Sequence, residues 1–311
     1  MKHAVLVALS GAMVASPSMS SGDGEISEPS VLIETLNSDA ERQAAREIYS
    51  ALKDDPQVAQ LLEAHPDMVL GWGEDFWPDA LLRAPLSGNS RWRVHDLRRP
   101  QPPLAQGRCE PQVAPDEAVR LTLRDFTGDR HDMWAERDGL ILAAGETSNR
   151  IMSKRSFDSF RLYLEFRLPV PTHGYGQRRG NSGVFLHGDH EIQILDGWAN
   201  PTYPDGMIGA LYGQSPPSAN AALPPGVWQC LDIASTAPEV DESGTVTGPA
   251  RATVRLNGVL VQNDVAFTGP TAFARRTAYD RPRAPRGPIG LQDHGDPGGR
   301  VAFRNIWVIE R

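Results

Sequence analysis

The chain has 311 residues, of which 40% are hydrophobic, with 29 glycines, 26 prolines and a formal net charge of −8. That length suits one large β domain with an appendage, or two domains, and the Gly and Pro usage favours turns over long helices. The negative charge, without any Lys/Arg stripe carrying interleaved aromatics, counts against nucleic acid as a partner.

Residues 1–21 read as a secretory signal peptide. Lys2 and His3 form a short basic start, residues 4–15 are apolar but too short to span a bilayer, and small residues follow. A buried N-terminal helix is the competing reading. Export places the mature protein in the periplasm or outside the cell. No later stretch reaches about 18 uninterrupted apolar residues, so no membrane span is expected.

Residues 22–97 are predicted to form an N-terminal helical extension. Ser38 is a candidate N-cap with Glu41 as its capping-box partner, and Ala44, Ala45, Ile48 and Leu52, then Val58, Leu61 and Leu62, recur near helical spacing. Pro56 divides this into two helices, and Trp72, Phe76 and Trp77 follow as packing aromatics. Residues 98–116 are Pro-rich and read as an extended linker or wrapping arm.

Residues 117–311 read as an all-β domain. Short alternating runs appear at 119–123, 140–143, 161–168, 183–187, 191–195, 227–234, 252–256, 259–261, 288–291 and 301–308. Turn signals separate them, and Asn257-Gly258 between RATVRL and VLVQ is the strongest hairpin signal. Around ten short strands without a clear long helix point to a two-sheet β-sandwich. Cys109 and Cys230 match no metal motif. They could pair in an oxidising compartment, but Cys230 reads equally well as a small core residue.

The richest stretch is NSGVFLHGDHEIQILD, starting at Asn181. Strand alternation turns Val184 and Leu186 one way and Phe185 and His187 the other. After the Gly188-Asp189 break, Ile192 and Ile194 share a face, with Glu191 and Gln193 opposite. Trp198, Tyr203 and Tyr212 add aromatic surface, the tyrosines in turn-rich sequence that also holds Gln214 and Asn220. A polar sheet face with nearby aromatics fits a sugar.

In RLYLEFRL, Leu162, Leu164, Phe166 and Leu168 make the apolar face, and Arg161, Tyr163, Glu165 and Arg167 the polar one. The two polar faces are expected to join, which would pair Glu165 with Glu191 as acid and base. The alternative is that Glu165 simply pairs with a neighbouring arginine. Gln292, Asp293 and His294 end a later strand, where His294 suits an acid, a base or a metal ligand. His187, His190, Glu191 and His294 are candidate ligands for a divalent metal, although no HxxxH or HExxH spacing supports one.

Six blocks in order, NSGVFLHGDHEIQILD, TYPDGMIGALYGQSPP, PPGVWQCLDI, LNGVLVQNDV, GPIGLQDHG and VAFRNIWV, resemble the 3-keto-disaccharide hydrolase family from about residue 140 to the C-terminus. The resemblance implies a concanavalin-like jelly roll and cleavage of glycosides oxidised at C3 of the sugar. A C3 ketone acidifies the C2 proton. A base removes that proton, the C1 oxygen leaves by elimination, and water adds back. On this reading Glu191 or His294 is the base and Glu165 the partner acid. Gln193, Gln292 or a bound metal polarises the ketone. Asn181, His187, Trp198, Tyr203, Tyr212 and Gln214 complete the substrate contacts. The segment PDEAVRLTLRDFTGDRHDMW is only loosely similar to the family's usual opening, and His190 stands where most relatives carry an aromatic.

Two other functions fit the same fold: a non-catalytic carbohydrate-binding module, and a conventional glycoside hydrolase. The latter commonly presents an ExDxxE-like strand, and EIQILD places Gln where the central carboxylate would sit.

Overall fold

Alternating side chains sort this sequence into two antiparallel sheets whose apolar faces meet. The computed structural model describes residues 94, 95, 99–143, 147–170, 176–198, 200, 202–296 and 300–311. The predicted signal peptide and N-terminal helices lie outside the described residues.

The described strands are β1 (Val119–Arg120), β2 (Phe126–Thr127), β3 (Ala135–Arg137), β4 (Leu140–Leu142), β5 (Asn149–Phe157), β6 (Phe160–Arg167), β7 (Ser182–Leu186), β8 (His190–Ile194), β9 (Trp228–Thr236), β10 (Glu239–Val240), β11 (Val246–Gly248), β12 (Arg251–Leu256), β13 (Val259–Ala266), β14 (Gly287–Asp293) and β15 (Ala302–Glu310). Of the two stacked sheets the larger runs β13-β12-β9-β6-β15-β4-β3, with β1 beside β15, and the smaller runs β2-β5-β14-β7-β8; β10 and β11 pair as a separate two-stranded sheet. The fold is all-β, the two-sheet sandwich that the strand pattern predicts, in the jelly-roll form that the family resemblance implies.

The core lies between the sheets. Ile151, Val184, Leu186, Ile192, Ile194, Ile289 and Leu291 face it from the smaller sheet, and Leu162, Leu164, Phe166, Leu231, Ile233 and Phe303 from the larger. Each is nearly or wholly buried, and burying one such side chain contributes roughly 1.5–3 kcal/mol. This common core holds the smaller sheet rigidly enough to serve as a platform.

Two local features depart from plain alternation. The nine-residue β5 is absent from the predicted runs. Its inward positions include Ser153 between Ile151 and Phe157, which dilutes the apolar signal. The Ser153 hydroxyl accepts from the Ile289 N–H at 2.9 Å, where the β5–β14 register shifts. His187 has φ +51°, so the chain turns at this residue and the strand alternation of β7 stops before it. The Asn257-Gly258 turn forms as predicted, with both residues at positive φ and Leu256 paired with Val259.

Residues 104–114 cross the outer face of the larger sheet. The Ala105 N–H donates to the Asn220 carbonyl, and that of Arg108 to the Asn257 carbonyl. Cys109 and Cys230 form a disulfide with a Cα–Cα distance of 5.2 Å. Ala114 packs with Tyr163, Cys230 and Trp307 in a second small core.

Candidate active site

Glu191 sits on the outer face of the smaller sheet, opposite Phe185, while Gln193 is opposite Gly183. Gly183 leaves the room that Glu191 occupies: a Cβ at that position would meet Glu191 Oε1 and force the carboxylate to move. One strand further, Gln292 pairs with Arg150 of β5, and the Arg150 guanidinium lies 4.5 Å from the Phe185 ring centroid. Glu191 is 6% exposed. Burial pushes its carboxyl up to about 8, opposed by the charge of Arg150. A carboxyl in that range becomes an effective base just above neutral pH.

The free edge of β8 is covered by the loop that follows. Gln193 and Ala210 pair through a backbone hydrogen bond, Gly209 donates to the Gln193 carbonyl, and Tyr212 donates to the Glu191 carbonyl. Within this loop Pro204–Gly206 forms a 3-10 turn with Pro204 at its start. The turn sets Tyr203 so that its hydroxyl meets that of Tyr212 at 2.8 Å. Burial raises the pKa of both phenols, and the nearby Glu191 raises both further. On the far side, the Glu191 N–H donates to Thr271 Oγ1 at 2.9 Å.

A polar network runs from Gln193 to His294. The Gln193 amide donates to Gln177 Oε1 at 3.0 Å and Asn181 Oδ1 at 3.3 Å. Gln177 donates onward to Thr202 and to the Gly206 carbonyl. The Asn181 N–H donates to Asp296 Oδ2, and His294 Nδ1 lies 2.7 Å from Asp296 Oδ1. The side-chain amide oxygens of Gln193 and Gln292 are buried without a hydrogen-bond partner. Buried polar atoms of this kind are rare and mark places where a ligand or water supplies the missing bond.

The structure therefore brings Glu191, Gln193, Asn181, Tyr203, Tyr212, Gln292 and His294 to one side of the smaller sheet. It does not bring Glu165 there. Glu165 lies on β6 of the larger sheet, facing away from the core, and so across the sandwich from Glu191. It accepts from Arg304 Nε at 2.7 Å, from Asn305 Nδ2 at 2.9 Å and from the Tyr163 hydroxyl at 3.3 Å. The predicted continuous polar surface fails because β6 and β8 belong to different sheets. Glu165 is a structural anchor beneath the arm. Glu165→Ala is expected to cost about 2 kcal/mol in stability through its lost charge-assisted bonds, with kcat/KM within threefold of wild type. A folded variant with a hundredfold loss of activity would overturn that assignment.

His187 also leaves the site. Its ring packs against Phe160 and Nε2 meets Ser235 Oγ at 2.9 Å, inside the end of the sandwich. His190 shares the inward face of β8, against Phe267, with Nε2 2.9 Å from the Tyr279 hydroxyl. Burial lowers both imidazoles to about 4. The proposed metal set of His187, His190, Glu191 and His294 does not converge, because Glu191 is on the opposite face of β8 from His190. Among the described residues no group of three or more His, Cys, Asp or Glu could hold a metal ion.

Gln214 braces the adjoining loop rather than facing ligand, donating to the Gly269 carbonyl and accepting from Thr268. Asn220 likewise spends its amide on Gly197 and Ala222. Trp198 is buried, with its backbone N–H donating to Asp196 Oδ1. Arg150, Gln177 and His95 are neighbours that sequence reasoning missed. Arg150 was detectable as an outward position of β5, had that strand been recognised. The other two carry no local signal.

A two-sheet sandwich with a buried acid, amides and paired tyrosines on one outer face defines a carbohydrate-active, glycosyl-hydrolase-like protein. Residues 121–309 match the 3-keto-alpha-glucoside-1,2-lyase-like domain, and the chain belongs to that family. It is similar to a proposed glycosyl hydrolase from Parabacteroides distasonis, with 34% identity over 68% of this chain and 93% of the other and a TM-score of 0.59. A second proposed glycosyl hydrolase from the same organism is 25% identical over 60% of this chain and 94% of the other, with a TM-score of 0.42. A carbohydrate-binding module from Bacillus subtilis is 12% identical over 58% of this chain and 93% of the other, with a TM-score of 0.33. No curated protein matches the sequence. No helix among the described residues is long and apolar enough to cross a membrane.

Proposed function

We propose that this protein cleaves glycosides carrying a ketone at C3 of the sugar, by elimination followed by hydration, with Glu191 as the base at C2. The observation that carries this reading is the placement of Glu191. A carboxyl buried over Gly183, with its proton affinity raised to about 8, is matched to removing a proton made acidic by a neighbouring ketone. Gln193 and Gln292, with unpaired amide oxygens, face the sugar hydroxyls, and the Arg150 guanidinium supplies positive charge towards the enolate. A standard glycosidase dyad of Glu191 and Glu165 is ruled out by their positions on opposite faces of the sandwich.

The protein is further proposed to be exported. The basic-then-apolar start of the chain supports this, as does a disulfide joining residues 121 positions apart, a bond suited to oxidising compartments.

The test is to incubate the purified protein with a glucoside and with its 3-keto derivative while following release of the aglycone. Cleavage of the keto form alone is the expected result. Cleavage of the unoxidised glucoside would replace this reading with a conventional glycosidase. Binding of both without turnover would replace it with a carbohydrate-binding module.

A further inference from the structure

His95 packs against the tyrosines of the site although it lies upstream of the family domain. Its backbone N–H donates to both carboxylate oxygens of Asp205, at 3.1 and 2.9 Å, and its Nδ1 lies 3.3 Å from Asp205 Oδ1. Both side chains are fully buried, and Arg99 Nη1 stands 3.5 Å from Asp205 Oδ2. The imidazole ring rests on Tyr203, with centroids 3.9 Å apart, and near Tyr212 at 4.9 Å. These are the tyrosines whose hydroxyls meet beside Glu191, and the Tyr212 N–H donates to the Glu191 carbonyl.

The two ring nitrogens of His95 are not equivalent. Nδ1 is held by Asp205, which fixes the orientation of the ring. Nε2 is on the other side of the ring, buried and without a hydrogen-bond partner. Leaving such an atom unpaired inside the protein is unfavourable. Packing on the tyrosines accounts for the ring and Asp205 accounts for Nδ1, but neither accounts for the unpartnered Nε2. Gln193 and Gln292 leave their own buried oxygens unpaired in the same site. Elimination requires a proton donor for the departing oxygen, and Glu165 is on the wrong face to be one.

We propose that His95 Nε2 is the catalytic proton donor to the glycosidic oxygen, with Asp205 as its positioning residue. The proposal rests on the keto-glycoside reading. In the first half-reaction Glu191 takes the C2 proton, the C1–O bond breaks, and the Nε2 proton goes to the leaving oxygen, giving the enone and the free alcohol. In the second, water adds to C1. One of its protons returns to Nε2 and Glu191 returns its proton to C2. The sum is hydrolysis, with both groups restored.

The leaving group tests this directly. An alkoxide needs a proton to depart, whereas 4-nitrophenolate does not. His95→Phe keeps a ring against the tyrosines and removes Nε2. It is expected to lower kcat on methyl 3-keto-glucoside by about 10²–10⁴, to lower kcat on the 4-nitrophenyl derivative less than tenfold, and to change KM little. His95→Ala should show the same split and regain at least tenfold with added imidazole, which keeps the test alive if the Phe variant does not fold. Equal losses on both substrates, or no loss, would overturn the role of His95 while leaving the keto reading intact. Wild-type cleavage of only the unoxidised glucosides, with the leaving-group split in the variant, would retain His95 and remove the keto reading. A wild type that cleaves none of them removes both.

Discussion

Glu191→Gln is expected to abolish most turnover and at the same time to stabilise the protein. The amide has nearly the same shape over Gly183 but cannot accept the C2 proton, so kcat should fall by about 10²–10⁴. The stability gain follows from the sign of the perturbation. Glu191 titrates near 8 when folded, against 4.5 for an ordinary Glu. Below the unfolded value both states hold the proton and nothing is lost. As pH rises from about 4.5 to 8 the unfolded chain releases the proton while the folded chain keeps it, and stability falls. Above 8 both are ionised and the cost is constant. At pH 7 the cost is on the order of 3 kcal/mol, and Gln does not incur it. Denaturant midpoints of both proteins at pH 5, 7 and 9 check this: the advantage of the variant should grow with pH. A gap independent of pH would show that Glu191 is not a buried, raised carboxyl. The kcat/KM of the wild type should rise with pH through about 8, as a base requires.

The second large effect is expected from the disulfide. Cys109 and Cys230 are separated by 121 residues, and a closed loop of that length restricts the unfolded chain by about 4–5 kcal/mol in the chain-entropy account. Replacing both cysteines by Ala should lower unfolding free energy by about that amount, read from urea denaturation with and without reductant. Wild type with reductant should match the variant, and the variant should not respond to reductant. The loss is compounded locally because the bond ties the arm over Tyr163 and Trp307, each 1% exposed. Freed of the arm, these stacked rings would meet water. A change below about 1 kcal/mol would mean the arm is held by its other contacts alone.

The strands were legible where one face is continuously apolar, as in β6 and β12, because burial imposes a period of two on the sequence itself. β5 was not, because Ser153 occupies an inward position and is satisfied by a hydrogen bond from the neighbouring strand, a partner remote in sequence. The outward direction of Glu191 and Gln193 was legible for the same reason as the strands. That of His187 was not, since positive φ at the turn ends the alternation that the assignment relied on.

Which polar faces meet is a different kind of information. β6 and β8 look alike in sequence, each apolar on one side and acidic on the other, and nothing local says that they lie in separate sheets. Pairing with β9 and β15 puts Glu165 under the arm, and pairing with β7 puts Glu191 on the opposite side of the molecule. The cysteine pairing was open for the same reason, since Cα separation across 121 residues is set by packing. Sequence alone thus supplied the sandwich, the family resemblance and Glu191 as the residue to watch. The loss of Glu165 as its partner, and the arrival of His95 against Asp205 and the two tyrosines, came from long-range contacts, whose partners are chosen by the closing of the whole core.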